Sequence, residues 1–589
     1  MTEEDYIKYK TALGYEPSDY QSKFFDHVVH GSGNAVLDSY AGSGKTSTII
    51  GAMRLIPNKK KCLFLAFNKS VADELKGKLA DYPNCTVKTV HSLGLAILKR
   101  HYGSIDIDEY KYISYLRKNL SELSNSGLKD GREINLYVNR IISLLEFARQ
   151  NLTQSKREII SIAKKYDINT SLDEVDVAHK LLKWGAENTN VIDYTDMVWL
   201  PNELQLDTKG NQYDWIFNDE AQDYSIAYVN LFRKCFKRGT RFVSCGDAYQ
   251  SINQFAGASE DAFESMKKDR NTKVFKLPIS YRCDRIIVEE ARNIVSDFEY
   301  RNGADLGLIK HDSPILDIKG DDMVLCRTNA PLVKMFAKLI KNNVPCYIKG
   351  QDDDRNKLLA TINIFKSGEA LGKKIEEVGL FSNMYKDLIL ERNRLVNNGM
   401  NIADANNSVP VSNKYDTIST LMTIAAGCDT VSCLVEKIEK IFNQDTKGVC
   451  LSKIHNAKGL EANNVHILCR STMPQKSAKT PSEIQQEQNL IYVAITRAKH
   501  KLCYVSEKEF PPMRSFDNEE TIETEFKYIE KKVCDLYGIQ PIEVMDDVEL
   551  AKFRLKSASV MGQEHHNDNK KTITQPTIKK KSSLLDKLK

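Results

Sequence analysis

Metal-binding and disulfide frameworks are missing from this sequence. Its thirteen cysteines are scattered without a CxxC pair, and Cys428 and Cys433 are the closest two in the C-terminal half. An odd, unpatterned set that often sits in apolar runs, as at Cys62, Cys326 and Cys469, reads as reduced core thiols. Zinc, iron–sulfur and disulfide frameworks are therefore not expected. Also missing is any apolar run near the ~20 residues that a membrane span needs. The opening MTEEDYIKYK carries no apolar leader. The expectation is therefore a cytoplasmic setting (host cytoplasm if the chain is viral) without membrane contact. Charge of one sign is scarce too: 84 Lys and Arg against 79 Asp and Glu leave a net +5. That alone does not announce a nucleic-acid binder, although a basic groove can hide under a balanced total. What is present is ordinary globular composition, 41% hydrophobic and 28% charged. At 589 residues the chain is too long for one core and suits about three or four domains.

The strongest local signal is SYAGSGKTST, Ser39 to Thr48, between the apolar run Ala35-Val36-Leu37 and the helical run Ile49 to Met53. Strand, small-residue loop, Lys, hydroxyl and helix is the arrangement that cradles phosphates. Gly42 and Gly44 let backbone N–H groups approach phosphate oxygens, and the helix N-terminus adds its positive end. The nucleotide-binding set is thus Ala41, Gly42, Ser43, Gly44, Lys45, Thr46 and Ser47. Lys45 would reach the β- and γ-phosphates and Thr46 would hold Mg²⁺. Ser39 stands where the strict pattern wants its first Gly. A second acidic strand is needed for the metal, and YDWIFNDEAQD, Tyr213 to Asp223, supplies it. Asp219 would bind Mg²⁺ and Glu220 would polarise the attacking water. An acidic helix cap remains open for Asp223.

These residues, in this order, resemble the UvrD/Rep/PcrA helicases of superfamily 1, from about residue 15 to about residue 508. The style is closest to the F-box-helicase-like and phage branch, whose AFNKS form the chain shares at Ala66 to Ser70. The resemblance implies ATP as substrate and Mg²⁺ as cofactor. It makes Gln21, in EPSDYQ, an adenine-reading amide. It makes Phe67, Asn68 and Lys69 of LFLAFNKSVADEL, and Thr89 and His91 of VKTVHSLGLAIL, contacts to single-stranded DNA. In RFVSCGDAYQSINQFAGA, Gln250 would sense the γ-phosphate and Phe255 would stack on a base, a contact worth ~1–3 kcal/mol. Asn253 and Ala256 depart from the family's Tyr and Arg there. In LPISYRC, Tyr281 would stack on adenine and Arg282 would approach the γ-phosphate. In CLSKIHNAKGLEANNVHIL, Ser452 and His455 would face DNA, Lys458 and Gly459 would lie near the phosphate path, and Glu461 would meet the ribose. In QEQNLIYVAITRAKHKL, Arg497 is a second arginine finger, Glu487 and Tyr492 match supporting positions, and Asn489 replaces a common Arg.

The expected fold is α/β: two RecA-like P-loop motor domains, parallel sheets flanked by helices, each with a mostly helical insertion. Residues 1–95 and 197–280 would form the first motor domain, with 96–196 its insertion. Residues 281–350 and 446–510 would form the second, with 351–445 a smaller insertion. A helical extension (511–556) and a lysine-rich tail (557–589) would follow. The tail's lysines suit either electrostatic grip on DNA or solubility, and it could dock replication or recombination proteins. Expected is a monomeric ATP hydrolase, a 3′→5′ helicase on single-stranded and forked DNA, serving replication, recombination or repair. A translocase that strips bound proteins, a motor on RNA, and a P-loop switch not driven by nucleic acid are the alternatives. A fused nuclease is disfavoured, because residues 511–589 are too few and lack the spaced acidic pattern.

Overall fold

The computed structural model describes residues 2–512 apart from 67, 125, 128–130, 167, 169, 253–259, 350, 366–371, 376–377, 398, 443–446 and 476–477. The chain divides into two compact units, Met1–Glu523 and Thr524–Lys589, and all described residues belong to the first. The expected C-terminal extension from 513 onward and the tail lie outside the described residues.

Six strands, β1 (Asn34–Ser39), β2 (Cys62–Ala66), β3 (Cys85–Thr89), β4 (Tyr213–Asn218), β5 (Phe236–Gly246) and β6 (Thr272–Leu277), build one sheet. Their order is β3-β2-β4-β5-β1-β6, and every pairing is parallel. A parallel sheet is covered on both faces, so its inner strands read as continuous apolar runs rather than alternating ones. CLFLA in β2 is buried at every position. Helices α1 (Glu3–Leu13), α2 (Asp19–His30), α3 (Lys45–Arg54) and α4 (Lys69–Lys78) contribute to the apolar cluster on one face. Helix α5 (Val90–Tyr102) and the helices Tyr194–Glu203, Ile226–Lys234 and Glu260–Lys267 cover the other.

A second parallel sheet follows: β7 (Leu308–Ser313), β8 (Met323–Cys326), β9 (Cys346–Lys349), β10 (Val449–Lys453), β11 (Ala462–Ile467) and β12 (Ala498–Val505). Its order is β7-β12-β11-β8-β10-β9. Its apolar cluster includes Tyr40, Ala41 and Ile252 from the first sheet's loops, together with Tyr492, Leu490 and Ile454. The two sheets therefore share buried surface beside the P-loop.

Between β3 and β4, helices such as Gly131–Gln150 and Leu172–Glu187 gather around a core of their own. A two-residue strand pair, Asp106–Ile107 with Val191–Ile192, closes this segment. The boundaries expected at 95–96 and 196–197 each fall inside a continuous helix, α5 and Tyr194–Glu203. These two helices pack together because residue 94 is glycine: a Cβ there would lie 1.8 Å from the Met197 carbonyl oxygen. Between β9 and β10 stand the helices Gln351–Phe365, Leu380–Asn397, Ile402–Asn407, Val409–Ala425 and Val431–Ile441. Among the described residues no helix is long and apolar enough to cross a membrane.

Candidate active site and nucleic-acid track

The sequence's chemical motifs gather just beyond the C-terminal ends of β1, β4, β5 and β10 and at the start of α3, where open α/β sheets place ligands. Gly42 (φ +71°) and Gly44 (φ +75°) take left-handed backbone. A side chain at Gly42 would meet Arg282 Cβ at 2.6 Å, so this glycine also permits the second half of the chain to approach. Gly44 is the N-cap of α3 and offers no side-chain cap, which leaves the first-turn N–H groups directed at a ligand position. Lys45 Nζ is buried without a hydrogen bond, as is Ser43 Oγ. The nearest carboxylate to Lys45 is Glu220, at 3.7 Å. Burial opposes the Lys45 charge, but Glu220 and Asp247 outweigh it and raise its pKa. A buried, charged ammonium without a hydrogen-bond partner, beside an open helix N-terminus, fits a phosphate.

Thr46 Oγ1 donates to Asp219 Oδ2 at 2.8 Å. Burial and the adjacent Glu220 push the Asp219 pKa up. For Glu220, burial is overcome by Lys45 and Lys458, and its pKa falls. A hydroxyl and a carboxylate touching at the P-loop are a hard-oxygen donor pair suited to Mg²⁺. Glu220 takes φ +53°, a left-handed conformation that costs about 1–3 kcal/mol in a non-glycine residue and concentrates at functional sites.

From Glu220 a chain of contacts runs into the next motif. Gln222 Nε2 donates to Glu220 Oε2 at 2.5 Å and its Oε1 accepts from the Asp247 N–H at 2.9 Å. Gln250 Nε2 donates to Asp247 Oδ2 at 2.6 Å. Burial lifts Asp247 to about 6. The second sheet's segments meet this chain. Lys458 ion-pairs with Asp223 and donates to the Gln250 carbonyl at 2.9 Å. Arg497 lies 3.5 Å from Gln250 Oε1, and burial with Arg282 nearby lowers its pKa to about 10. Tyr492 Oη accepts from the Ala41 N–H at 2.8 Å. Asn489 Nδ2 donates to the Ser251 and Ala248 carbonyls at 2.9 and 3.3 Å. Asn489, which stands where the family commonly has Arg, thus ties the second half of the chain to the loop after β5. Asp223, for which a helix cap was open, instead bridges the two halves.

Several expected contacts are placed differently. Arg282 is held by Glu461 (Nε to Oε2, 2.7 Å) and the Thr496 carbonyl (3.2 Å). Glu461 also pairs with Lys499, so its carboxylate serves two cations. Gln21 is 1% exposed. Its Oε1 accepts from the Ser18 N–H at 3.0 Å and its Nε2 donates to Thr48 Oγ1 at 2.8 Å, so the amide caps α2 and touches α3. Tyr281 is 39% exposed, with its N–H on the Gly42 carbonyl at 2.8 Å.

On the track side, Asn68 and Lys69 are exposed, and Asn68 caps α4 through the Val71 N–H at 2.9 Å. Thr89 caps α5. His91 is turned toward Tyr228 Oη at 3.0 Å, and burial depresses its pKa. His455 is half-buried, and desolvation, with Arg327 and Lys453, drives its pKa far down. Ser452 is a correction. It is 0% exposed, and its hydroxyl donates to the Lys453 carbonyl, because β10 is an interior strand paired on both sides. Phe67 and Phe255, like Asn253 and Ala256, lie outside the described residues.

Residues 21–271 match the UvrD/REP helicase N-terminal domain and residues 448–505 the UvrD-like helicase C-terminal domain. The chain belongs to the UvrD/Rep helicase family. Its two sheets are accordingly RecA-like. The chain is 20% identical to the ATP-dependent DNA helicase Rep of Buchnera aphidicola subsp. Acyrthosiphon pisum, over 80% of this chain and 92% of that protein. It is 25% identical to the Rep of Buchnera aphidicola subsp. Baizongia pistaciae, over 48% of this chain and 43% of that one. F-box DNA helicase 1 of Gallus gallus is 23% identical over 81% of this chain and 48% of its own length. Against the last two the match thus spans less than half of the relative.

Proposed function

We propose that the chain is an ATP-driven motor that moves 3′→5′ on single-stranded DNA and unwinds duplex DNA, acting as a monomer at forks or tails. The observation that carries this reading is the division of the ATPase machinery between two sheets. Lys45, Thr46, Asp219, Glu220 and Gln250 come from the first; Lys458 and Arg497 come from the second, and Lys458 contacts Asp223 and the Gln250 carbonyl. A site built this way makes the relation of the two sheets depend on what lies between them.

Lys45 and the α3 N-terminus would bind the triphosphate, Glu220 would hold the attacking water, and Arg497 and Arg282 would stabilise charge developing on the transferred group. Thr46 and Asp219 would hold Mg²⁺, which supplies charge neutralisation on the phosphate oxygens. Gln250 touches Asp247, Arg497 and Lys458 together, so it is placed to report loss of the γ-phosphate to both sheets. Asn68, Lys69, Thr89 and His91 follow the ends of β2 and β3, on the same rim as the P-loop, where a bound strand would feel such a change.

A duplex carrying a single-stranded tail on one end separates the alternatives. Unwinding of the 3′-tailed duplex with ATP, and not of the 5′-tailed one, is expected. Unwinding of neither, with DNA-stimulated hydrolysis intact, would favour a translocase that strips bound proteins; preference for the 5′ tail would overturn the polarity.

A further inference from the structure

We propose that Tyr15 forms the second wall of the base site, so that adenine is held between the rings of Tyr15 and Tyr281 with the Gln21 amide at its edge. This deepens the nucleotide-binding reading above and rests on it. Phosphates at Lys45 fix one end of the ligand at the first turn of α3, and the base must then lie beside that turn.

Tyr15 lies there. Helix α1 stops at Gly14, a left-handed C-cap (φ +83°), and the chain turns so that Tyr15 reaches back to α3. Its hydroxyl accepts from Gln21 Nε2 at 3.3 Å and hydrogen-bonds Ser47. A Cβ added at Gly44 would lie 3.7 Å from that hydroxyl and 3.9 Å from Gln21 Nε2. The phenol is thus anchored by its polar end beside the phosphate turn, yet the residue is 40% exposed.

Tyr281 comes from the segment that follows β6 and is 39% exposed. Its backbone is pinned at both ends, the N–H on the Gly42 carbonyl at 2.8 Å and the carbonyl on Arg301 Nη1 at 2.7 Å. The Cβ position of Gly42 lies 2.6 Å from Arg282 and 2.9 Å from Ser280, the residues flanking Tyr281, while that of Gly44 lies 3.7 Å from the Tyr15 hydroxyl, so one loop brings both tyrosines to the phosphate turn. Among the described residues, no aromatic ring or cation stacks on either. Single exposed aromatics need no explanation. One phenol anchored by its hydroxyl and one held through its backbone, both beside the phosphate turn and both unstacked, suit a flat aromatic guest.

The amide decides which guest. A carboxamide offers an acceptor and a donor side by side, matching the N6 and N7 edge of adenine. Of the two bonds that Gln21 Nε2 donates, the longer goes to Tyr15, at 3.3 Å against 2.8 Å to Thr48. That bond is the one a base edge would replace, which frees the phenol to settle on the ring. Guanine, with an oxygen where adenine carries its amino group, mismatches the amide.

The test is equilibrium binding of ADP and of inorganic tripolyphosphate to the full chain without DNA, for wild type, Tyr15→Ala, Tyr15→Phe and Lys45→Ala. Stacking worth ~1–3 kcal/mol predicts that Tyr15→Ala weakens ADP by roughly 5- to 150-fold. Tripolyphosphate affinity should stay as in wild type, and Tyr15→Phe should bind ADP nearly normally. Unchanged ADP binding in Tyr15→Ala would overturn the proposal. So would parallel loss of both ligands, since Tyr15 would then merely support the P-loop. Undiminished binding of both by Lys45→Ala would sink the phosphate site itself. No arm depends on DNA, so failure of the motor reading leaves this result standing.

Discussion

At the scale of single residues, the site is defined by charges that burial makes expensive and neighbours make tolerable. Glu220 is the clearest case, held in a left-handed backbone conformation between Lys45, Lys458 and Gln222. Removing its charge while keeping its shape should separate chemistry from binding. Glu220→Gln is expected to lower the ATP turnover rate by ~10²–10⁴-fold, the range for a lost general base, with nucleotide affinity nearly unchanged. Steady-state turnover measured beside nucleotide titration checks this, and a parallel loss of affinity would mean that Glu220 shapes the site instead. Lys458 tests the link between the halves. Lys458→Ala leaves Asp223 buried without its ion pair, and unpaired buried charge is costly. Hydrolysis stimulated by DNA should fall at least tenfold on the order of the cost of one such contact, while DNA binding without nucleotide stays intact. Fluorescence anisotropy alongside the ATPase assay would show it.

At the scale of elements, much was legible and some was not. β1, α3 and β4 were readable because phosphate and metal chemistry restricts which residues can stand at Gly42 to Thr46 and at Asp219-Glu220. Gly94 was not singled out, since its reason is a neighbour 103 positions further along the chain, the Met197 carbonyl. For the same reason the joints inside α5 and Tyr194–Glu203 left no punctuation in the sequence. Gly94→Ala should gain ~1 kcal/mol of helix propensity. The clash is with backbone, however, and forced separation of packed helices costs about 1–3 kcal/mol or more. The clash should win, and the thermal midpoint should drop. Ser452 failed for a related reason: lying in a DNA-facing motif does not tell whether a side chain points out of an interior strand or into it. The second sheet also holds an ion pair to which no motif assigns a role. His466 Nε2 and Asp322 Oδ2 lie 2.9 Å apart, and both side chains are buried. Despite burial, Asp322 and Cys503 raise the His466 pKa. A raised histidine contributes stability that is full below its unfolded value of about 6.5 and is lost as pH rises through the folded one. The difference in thermal midpoint between wild type and His466→Gln should therefore shrink from pH 6 toward pH 9. A constant difference would mean that packing, not charge, accounts for it.

At the scale of the whole molecule, one nucleotide site is proposed to be assembled from two parallel sheets, beside the rim proposed to bind the strand. The sequence conveyed this through the order of its motifs, since separate segments placed in that order only make sense if folding brings them together. What it could not convey is that Arg282 pairs with Glu461 and that the Gln21 amide bonds Ser18 and Thr48. On the roles proposed for Arg282 and Gln21, those contacts exchange when nucleotide binds. The central claim, that nucleic acid and ATP act on one machine, is tested most directly by steady-state ATP hydrolysis with and without single-stranded DNA, at low and high salt. The account predicts stimulation by DNA that weakens as salt rises and vanishes in Lys45→Ala. Equal hydrolysis with and without DNA or RNA, at every salt concentration, would contradict it and leave a P-loop switch in its place.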